Sequence, residues 1–161
     1  MSSHHRGPPA EVLALDTFIK LLRAEESLGA ALARGTAATG LTPTQFAVLE
    51  ALFHLGPLCQ RDLGHKLLKS SGNVTLVLDN LEREGLVQRQ RSTSDRRYVA
   101  VHLTDAGRER ITRVFPAHAA AVTALFSALS EDEQRELGRL CKKLGRAAEE
   151  AAGRKRSDGG R

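Results

Sequence analysis

Between Ser70 and Arg97 the run SSGNVTLVLDNLEREGLVQRQRSTSDRR gathers two kinds of chemistry. Ser70, Ser71, Asn73, Thr75 and Asn80 carry short hydroxyl and amide groups that donate and accept hydrogen bonds, which suits them to base edges in a major groove. Leu76 among them offers an apolar surface of the kind that meets a thymine methyl. Arg83 and Arg91 carry permanent charge suited to phosphates, and Arg89, Arg91, Arg96 and Arg97 crowd around the turn-forming Ser92-Thr93-Ser94-Asp95. The same polar residues would also serve as the solvated outer face of an ordinary surface helix, so the neighbouring elements decide between the two readings.

Val74, Val77, Leu78 and Leu81 recur at helical spacing, which predicts a helix with an apolar back and the polar residues in front. Ser70 or Ser71 can cap its first turn, and Gly85 follows its last, where a left-handed conformation suits glycine. Upstream, Gln60 to Leu68 predicts a short helix carrying Leu63, Leu67 and Leu68, joined to the next by a tight Lys69-Ser70-Ser71 connection. Two helices joined so closely form a helix-turn-helix. Downstream, Val99, Val101 and Leu103 alternate with Tyr98, Ala100 and His102 and pair with Leu86 to Arg91, which predicts a two-stranded ribbon with a basic tip.

These residues resemble a known family. The helix-turn-helix, then Leu-Glu-Arg-Glu-Gly-Leu-Val (81 to 87), then Asp95-Arg96-Arg97 with Val99, Val101, Leu103-Thr104 and Gly107, is similar to the winged helix of the MarR transcription regulators. The resemblance runs from about Glu11 to Ala152 and is most specific from Gly85 to Gly107. It implies a mainly α (α+β) fold, a winged helix-turn-helix flanked by long N- and C-terminal dimerisation helices. In the family the Asp-x-Arg of the wing sends its arginine into the minor groove while the acid orients the loop; the matching residues are Asp95 and Arg97, with Ser94 and Arg96 beside them. Asp95 also reads as a plain turn residue. The resemblance further implies release from DNA by a small phenolic or aromatic anion. On the matching helices Phe46, Leu49, Phe53 and His54 would line its pocket, with Arg23 as counter-ion, although Phe46 and Phe53 at helical spacing are more often plain core.

Those flanking helices are predicted around the winged helix at about 42–104. Residues 1–10 read as an irregular tail and 11–34 as an amphipathic helix with Val12, Leu15, Ile19 and Leu22. Leu41-Thr42-Pro43-Thr44-Gln45-Phe46 is a helix start with cap, first-turn proline, capping box and apolar staple. Thr104-Asp105 opens a long helix to about Leu129, with Pro116 inside it and a seam that includes Phe115 and His118. Ser130 with Glu133 caps the last helix, so the dimerisation helices span 105–152 and residues 153–161 read as a charged, glycine-rich tail. The first helix and the last two carry more apolar surface than one small core can absorb, which predicts a homodimer; its twofold symmetry would read a pseudo-palindromic operator in double-stranded DNA with half-sites about 34 Å apart.

At 161 residues the chain fits a single domain able to bury roughly two-thirds of its unfolded surface. A formal charge of +5 suits a polyanion. Cys59 and Cys141 do not form a disulfide framework, no apolar run approaches membrane-spanning length, and MSSHHRGPPA lacks a signal-peptide core, which places the protein in the cytoplasm, away from membranes. No nucleophile with its base, phosphate-cradling glycine loop or paired carboxylate is present, so the sequence reads as no enzyme and implies no cofactor. His65, His102 and His118 are too dispersed for a metal site. Two alternatives share the basic wing: a thiol-based sensor through Cys59, at a helix start with Arg61 close by, where thiolates form, and a nucleoid-type binder without sequence preference.

Overall fold

The structure is a computed structural model that describes residues 4–67, 71–91 and 99–158. Its elements run α1 (Pro9–Ala37), α2 (Pro43–Leu55), β1 (Leu58–Cys59), α3 (Gln60–Leu67), α4 (Ser71–Arg83), β2 (Val87–Arg91), β3 (Val99–Leu103), α5 (Asp105–Phe126) and α6 (Glu131–Asp158). The chain forms two compact units, Met1–Ala121 and Val122–Arg161.

In the first unit the helix starts follow the local chemistry. Thr42 accepts the Gln45 amide at 3.2 Å while Gln45 Oε1 accepts the Thr42 amide at 2.8 Å, the reciprocal pair of a capping box, with Pro43 in the first turn. Gln45 is buried and its amide nitrogen donates to Glu84 at 3.2 Å, which ties the start of α2 to the end of α4. Gly56 and Gly85 hold positive φ of 77° and 70°, where a side chain would be strained, and Gly85 turns the chain from α4 into β2.

One apolar core binds α2, α3, α4, the sheet and the first part of α5. Val48, Leu49, Leu63, Val74, Leu78, Leu81, Val101 and Ile111 are all at 0% exposure. Gly107 lies where α5 crosses the chain after α4: a Cβ there would come 1.9 Å from the Leu86 carbonyl oxygen, so only glycine fits. Thr104 seals the same crossing, its hydroxyl donating to the Gly85 carbonyl at 2.6 Å and accepting the Gly107 amide at 3.0 Å.

The sheet has three strands in the order β1-β3-β2, all antiparallel, with Val101 opposite both Leu58 and Arg89. The sequence predicted two. A two-residue strand is too short to show alternation, so β1 becomes visible only once β3 offers it a partner.

Helix ends also differ from expectation. α1 begins at Pro9, whose missing amide hydrogen costs nothing in a first turn, and the Glu11 and Val12 amides bond the Pro8 carbonyl at 3.0 and 3.2 Å. α5 runs unbroken through Pro116 but stops at Phe126, three residues early. In the second unit α6 continues to Asp158, past the Ala152 at which an irregular tail was expected; Gly153 alone costs a helix only about 1 kcal/mol, and no proline follows. The turn into α6 is closed by Gln134, which donates to the Phe126 and Leu129 carbonyls at 3.0 Å each. Its cap is the expected one: the Ser130 amide donates to Glu133 Oε2 at 2.8 Å and the Glu133 amide to Ser130 Oγ at 3.3 Å. That hydrogen bonding holds the Glu133 carboxyl below its ordinary value.

Candidate nucleic-acid interface

The candidate reading surface is the outer face of α4. Its back is fixed by Val74, Leu78 and Leu81 at 0% exposure with Val77 half-buried, which leaves Gly72, Asn73, Thr75 and Leu76 in solvent. Leu76 is 63% exposed, which leaves an apolar side chain available on this face. The sequence expected this division of faces, and the backbone delivers it.

The polar groups are not loose. Gln60, the first residue of α3, donates to the Thr75 hydroxyl at 2.6 Å, which ties the start of α3 to α4. Arg83 donates through Nη2 to Asn80 Oδ1, which pairs two candidate DNA contacts with each other. Asn80 is half-buried and Arg83 exposed. Arg91 stands exposed at the end of β2. Ser71 opens α4, whereas Ser70 and the wing-tip candidates Ser94, Asp95, Arg96 and Arg97 lie outside the described residues.

Arg89 departs from expectation. The sequence grouped it with the cations of the wing tip, but its guanidinium turns back onto α4 and meets Glu82 Oε2 at 2.5 Å and Asp79 Oδ1 at 2.6 Å. Its backbone amide donates to the other Glu82 oxygen at 2.9 Å. Burial pulls the Arg89 pKa down, and the two carboxylates more than offset this, so it sits above its ordinary value. Residue type alone could not separate an arginine facing DNA from one spent on the protein; the acids at Asp79 and Glu82, one helical turn apart, were the available signal.

The candidate effector residues are scattered. Phe46 borders a cavity of about 70 Å³ between α1, α2 and α5, with Ala31, Leu32, Thr39, Val114 and His118 among its other walls. Arg23, Leu49, Phe53 and His54 are not part of that wall. Leu49 is fully buried in the core and Arg23 is exposed on α1. Phe53 and His54 instead form an aromatic cluster with Phe115, the His54 ring lying 4.7 Å from Phe115 and 5.0 Å from Phe53. The sequence missed Thr39 as a wall and read His118 only as a seam residue; the His118 ring stacks at a tilt 4.4 Å from Phe46. Beside this cavity Arg110 donates to the Thr39 carbonyl through Nη2, and its Nε is buried without an acceptor among the described residues.

Cys59 ends β1 opposite Ala100, half-buried, and its sulfur accepts the Asp62 amide at 3.4 Å at the start of α3. Cys141 is exposed on α6. Among the described residues no three His, Cys, Asp or Glu side chains gather closely enough to hold a metal ion, and no single helix is long and apolar enough to cross a membrane.

Known proteins share this arrangement. The MarR family model matches residues 41–99, from the staple of α2 to the first residue of β3. The HTH-type transcriptional regulator YkoM of Bacillus subtilis is 42% identical over 132 residues, covering 82% of this chain and 86% of its own. AbsC, a MarR family transcriptional regulator from Streptomyces coelicolor, superposes with a TM-score of 0.79 at 24% identity over 90% of this chain and 98% of its own, which shows the shared fold. BpsR of Bordetella bronchiseptica, whose DNA binding is regulated by 6-hydroxynicotinic acid, is 26% identical with a TM-score of 0.72 over 80% of this chain and 98% of its own. With the winged helix, the polar outer face of α4 and relatives matched along most of their length, this chain belongs to the MarR family of DNA-binding helix-turn-helix transcriptional regulators.

Proposed function

We propose that the protein acts as a homodimer that reads an inverted-repeat operator and represses by occupying it. The observation that carries this reading is the outer face of α4, where Asn73, Thr75 and the exposed Leu76 project from a helix whose back is locked in the core. Short polar groups and one apolar contact on a rigid rod are what base edges and a thymine methyl require. Ser70, Ser71 and Asn80 extend this face, while Arg83 and Arg91 meet phosphates at its margins. Arg97, oriented by Asp95, enters the minor groove, with Ser94 and Arg96 on the adjoining backbone.

The dimer follows from apolar faces that the chain leaves uncovered. Leu13, Phe18 and Leu22 on α1 and Leu137, Leu140 and Leu144 on α6 are all exposed, a quantity of apolar surface that a second copy would remove from water. The cavity beside Phe46 and His118 is the seat of a small aromatic anion. At about 70 Å³ it is far smaller than the roughly 300 Å³ of a typical small-molecule site, so binding must displace α1 or α5 and thereby change the spacing of the two reading heads.

In vitro selection from a randomised duplex pool tests the central point. Full-length protein should enrich an inverted repeat and prefer it over a scrambled duplex by about a thousandfold or more at physiological salt. Enrichment of no sequence would leave a non-specific binder and defeat the proposal. In a low-salt gel shift on the enriched duplex, Arg97→Ala should weaken binding by more than tenfold.

A further inference from the structure

We infer that Arg89 is a positioning residue for sequence reading: it straps the wing strand to the reading helix and does not itself contact DNA. This rests on the proposed operator reading above. The guanidinium forks between Asp79 Oδ1 at 2.6 Å and Glu82 Oε2 at 2.5 Å, and Glu82 also grips the Arg89 main chain at 2.9 Å. One carboxylate therefore holds strand β2 by backbone and side chain at once. The Arg89 side chain is only 24% exposed, on a strand whose flanking Gln88 and Gln90 face solvent.

The mechanical need is plain from the chain path. Between α4 and β2 lies only the turn Glu84-Gly85-Leu86, anchored beneath by the buried Leu81 and Val87. Those apolar contacts and the five-residue pairing with β3 fix where the strand starts and its register, and the Arg89 fork adds a side-chain tie to α4 that helps hold its inclination to the helix. A helix in one groove and a hairpin in the next can engage together only if that inclination is already correct; otherwise ordering it is a cost of binding. The cost falls on the specific complex, because non-specific binding is a tolerant attraction to phosphates. The strap has a second effect. Asp79 and Glu82 carry negative charge on the helix presented to DNA, and Arg89 neutralises them where they would repel the phosphate backbone.

Three variants of the full chain test this against a duplex selected by the wild-type protein and a scrambled duplex of equal length. Arg89→Lys keeps the charge but cannot fork between two carboxylates. Asp79→Asn/Glu82→Gln keeps the shapes and removes the grip. Both should lower the preference for the selected duplex at least tenfold while thermal melting shows a folded protein. In Arg89→Ala combined with Asp79→Asn and Glu82→Gln, which leaves no unmasked carboxylate, the slope of log affinity for the selected duplex against log salt should stay at the wild-type value. A direct phosphate contact predicts the reverse on each count: the slope becomes shallower by about 0.9, and the carboxylate variant, with Arg89 released, binds the selected duplex more tightly and no less selectively. Either of those results overturns the inference. If the wild-type protein itself selects no duplex, the operator reading fails and this inference falls with it; if it selects one and the variants keep its preference, only the strap is wrong.

Discussion

Leucines at three- and four-residue spacing occupy two regions of this molecule and meet opposite fates. In the winged helix Leu49, Leu63, Leu78 and Leu81 reach 0% exposure, because α2, α3, α4, the sheet and α5 converge on them from different directions. On α1 and α6 the same pattern leaves Leu13 at 69% and Leu144 at 56%. Helical periodicity therefore specifies a face and not its cover. Where elements of different direction cross, the chain supplies its own cover. A long rod shows its stripe to whatever comes next, and a second copy of the chain is the cover we propose.

The sharpest way to break this contrast is to remove the same side chain from each region. Leu78→Ala should destabilise the protein by about 2–5 kcal/mol, since it leaves a cavity among buried neighbours. The loss should appear equally at every protein concentration in urea melts. Leu144→Ala should behave differently, lowering the midpoint most in concentrated protein, where the wild type gains stability from association, and little in dilute protein. Equal, concentration-independent losses at both positions would mean that α6 is covered within its own chain.

A charge sharpens the contrast further. Leu137→Asp on the exposed face of α6 should weaken self-association by at least tenfold in analytical ultracentrifugation, which corresponds to about 1.4 kcal/mol. The melting of the winged helix itself should barely move. A variant that stays dimeric at the same concentration as the wild type would remove α6 from the proposed interface.

How much of this could be read in advance follows the same division. The polar front and apolar back of α4, the caps at Thr42 and Ser130 and the strand pairing of Val99 to Leu103 all arise from neighbours within a few residues, and the sequence showed them. Partners far apart in the chain were out of reach. Gln45 reaching Glu84, Gln60 reaching Thr75 and Arg89 reaching Asp79 are unions of side chains that only the folded path brings together. The cavity beside Phe46 was hidden for that reason too, since its walls come from three helices and most of the residues expected there went elsewhere. The candidates of the wing tip lie outside the described residues, so their roles rest on the family pattern.

Caps give a smaller probe of the same difference. Thr42→Ala should cost about 1 kcal/mol, because α2 is rooted in the core and the Gln45 backbone amide loses the Thr42 hydroxyl as its acceptor. A denaturation midpoint unchanged within error would show that Pro43 alone sets the start of α2.

The weakest effect expected is one of pH, at the start of α6. Glu133 accepts the Ser130 amide, and its carboxyl is held below its ordinary value chiefly by that hydrogen bond. A carboxyl with a depressed value in the folded state contributes stability that is complete above the ordinary glutamate range and disappears as the pH falls through the folded value. Helicity of α6 should therefore decline on acidification in the wild type. In Glu133→Gln the amide oxygen still accepts the bond and nothing titrates, so this part of the acid transition should be missing. Because Glu133 is exposed, the change should be small by circular dichroism and clearest as faster amide exchange in residues 131–136. If exchange there is equally pH-dependent in both proteins after correction for intrinsic rates, the capping box is present in the geometry but contributes nothing to holding the helix.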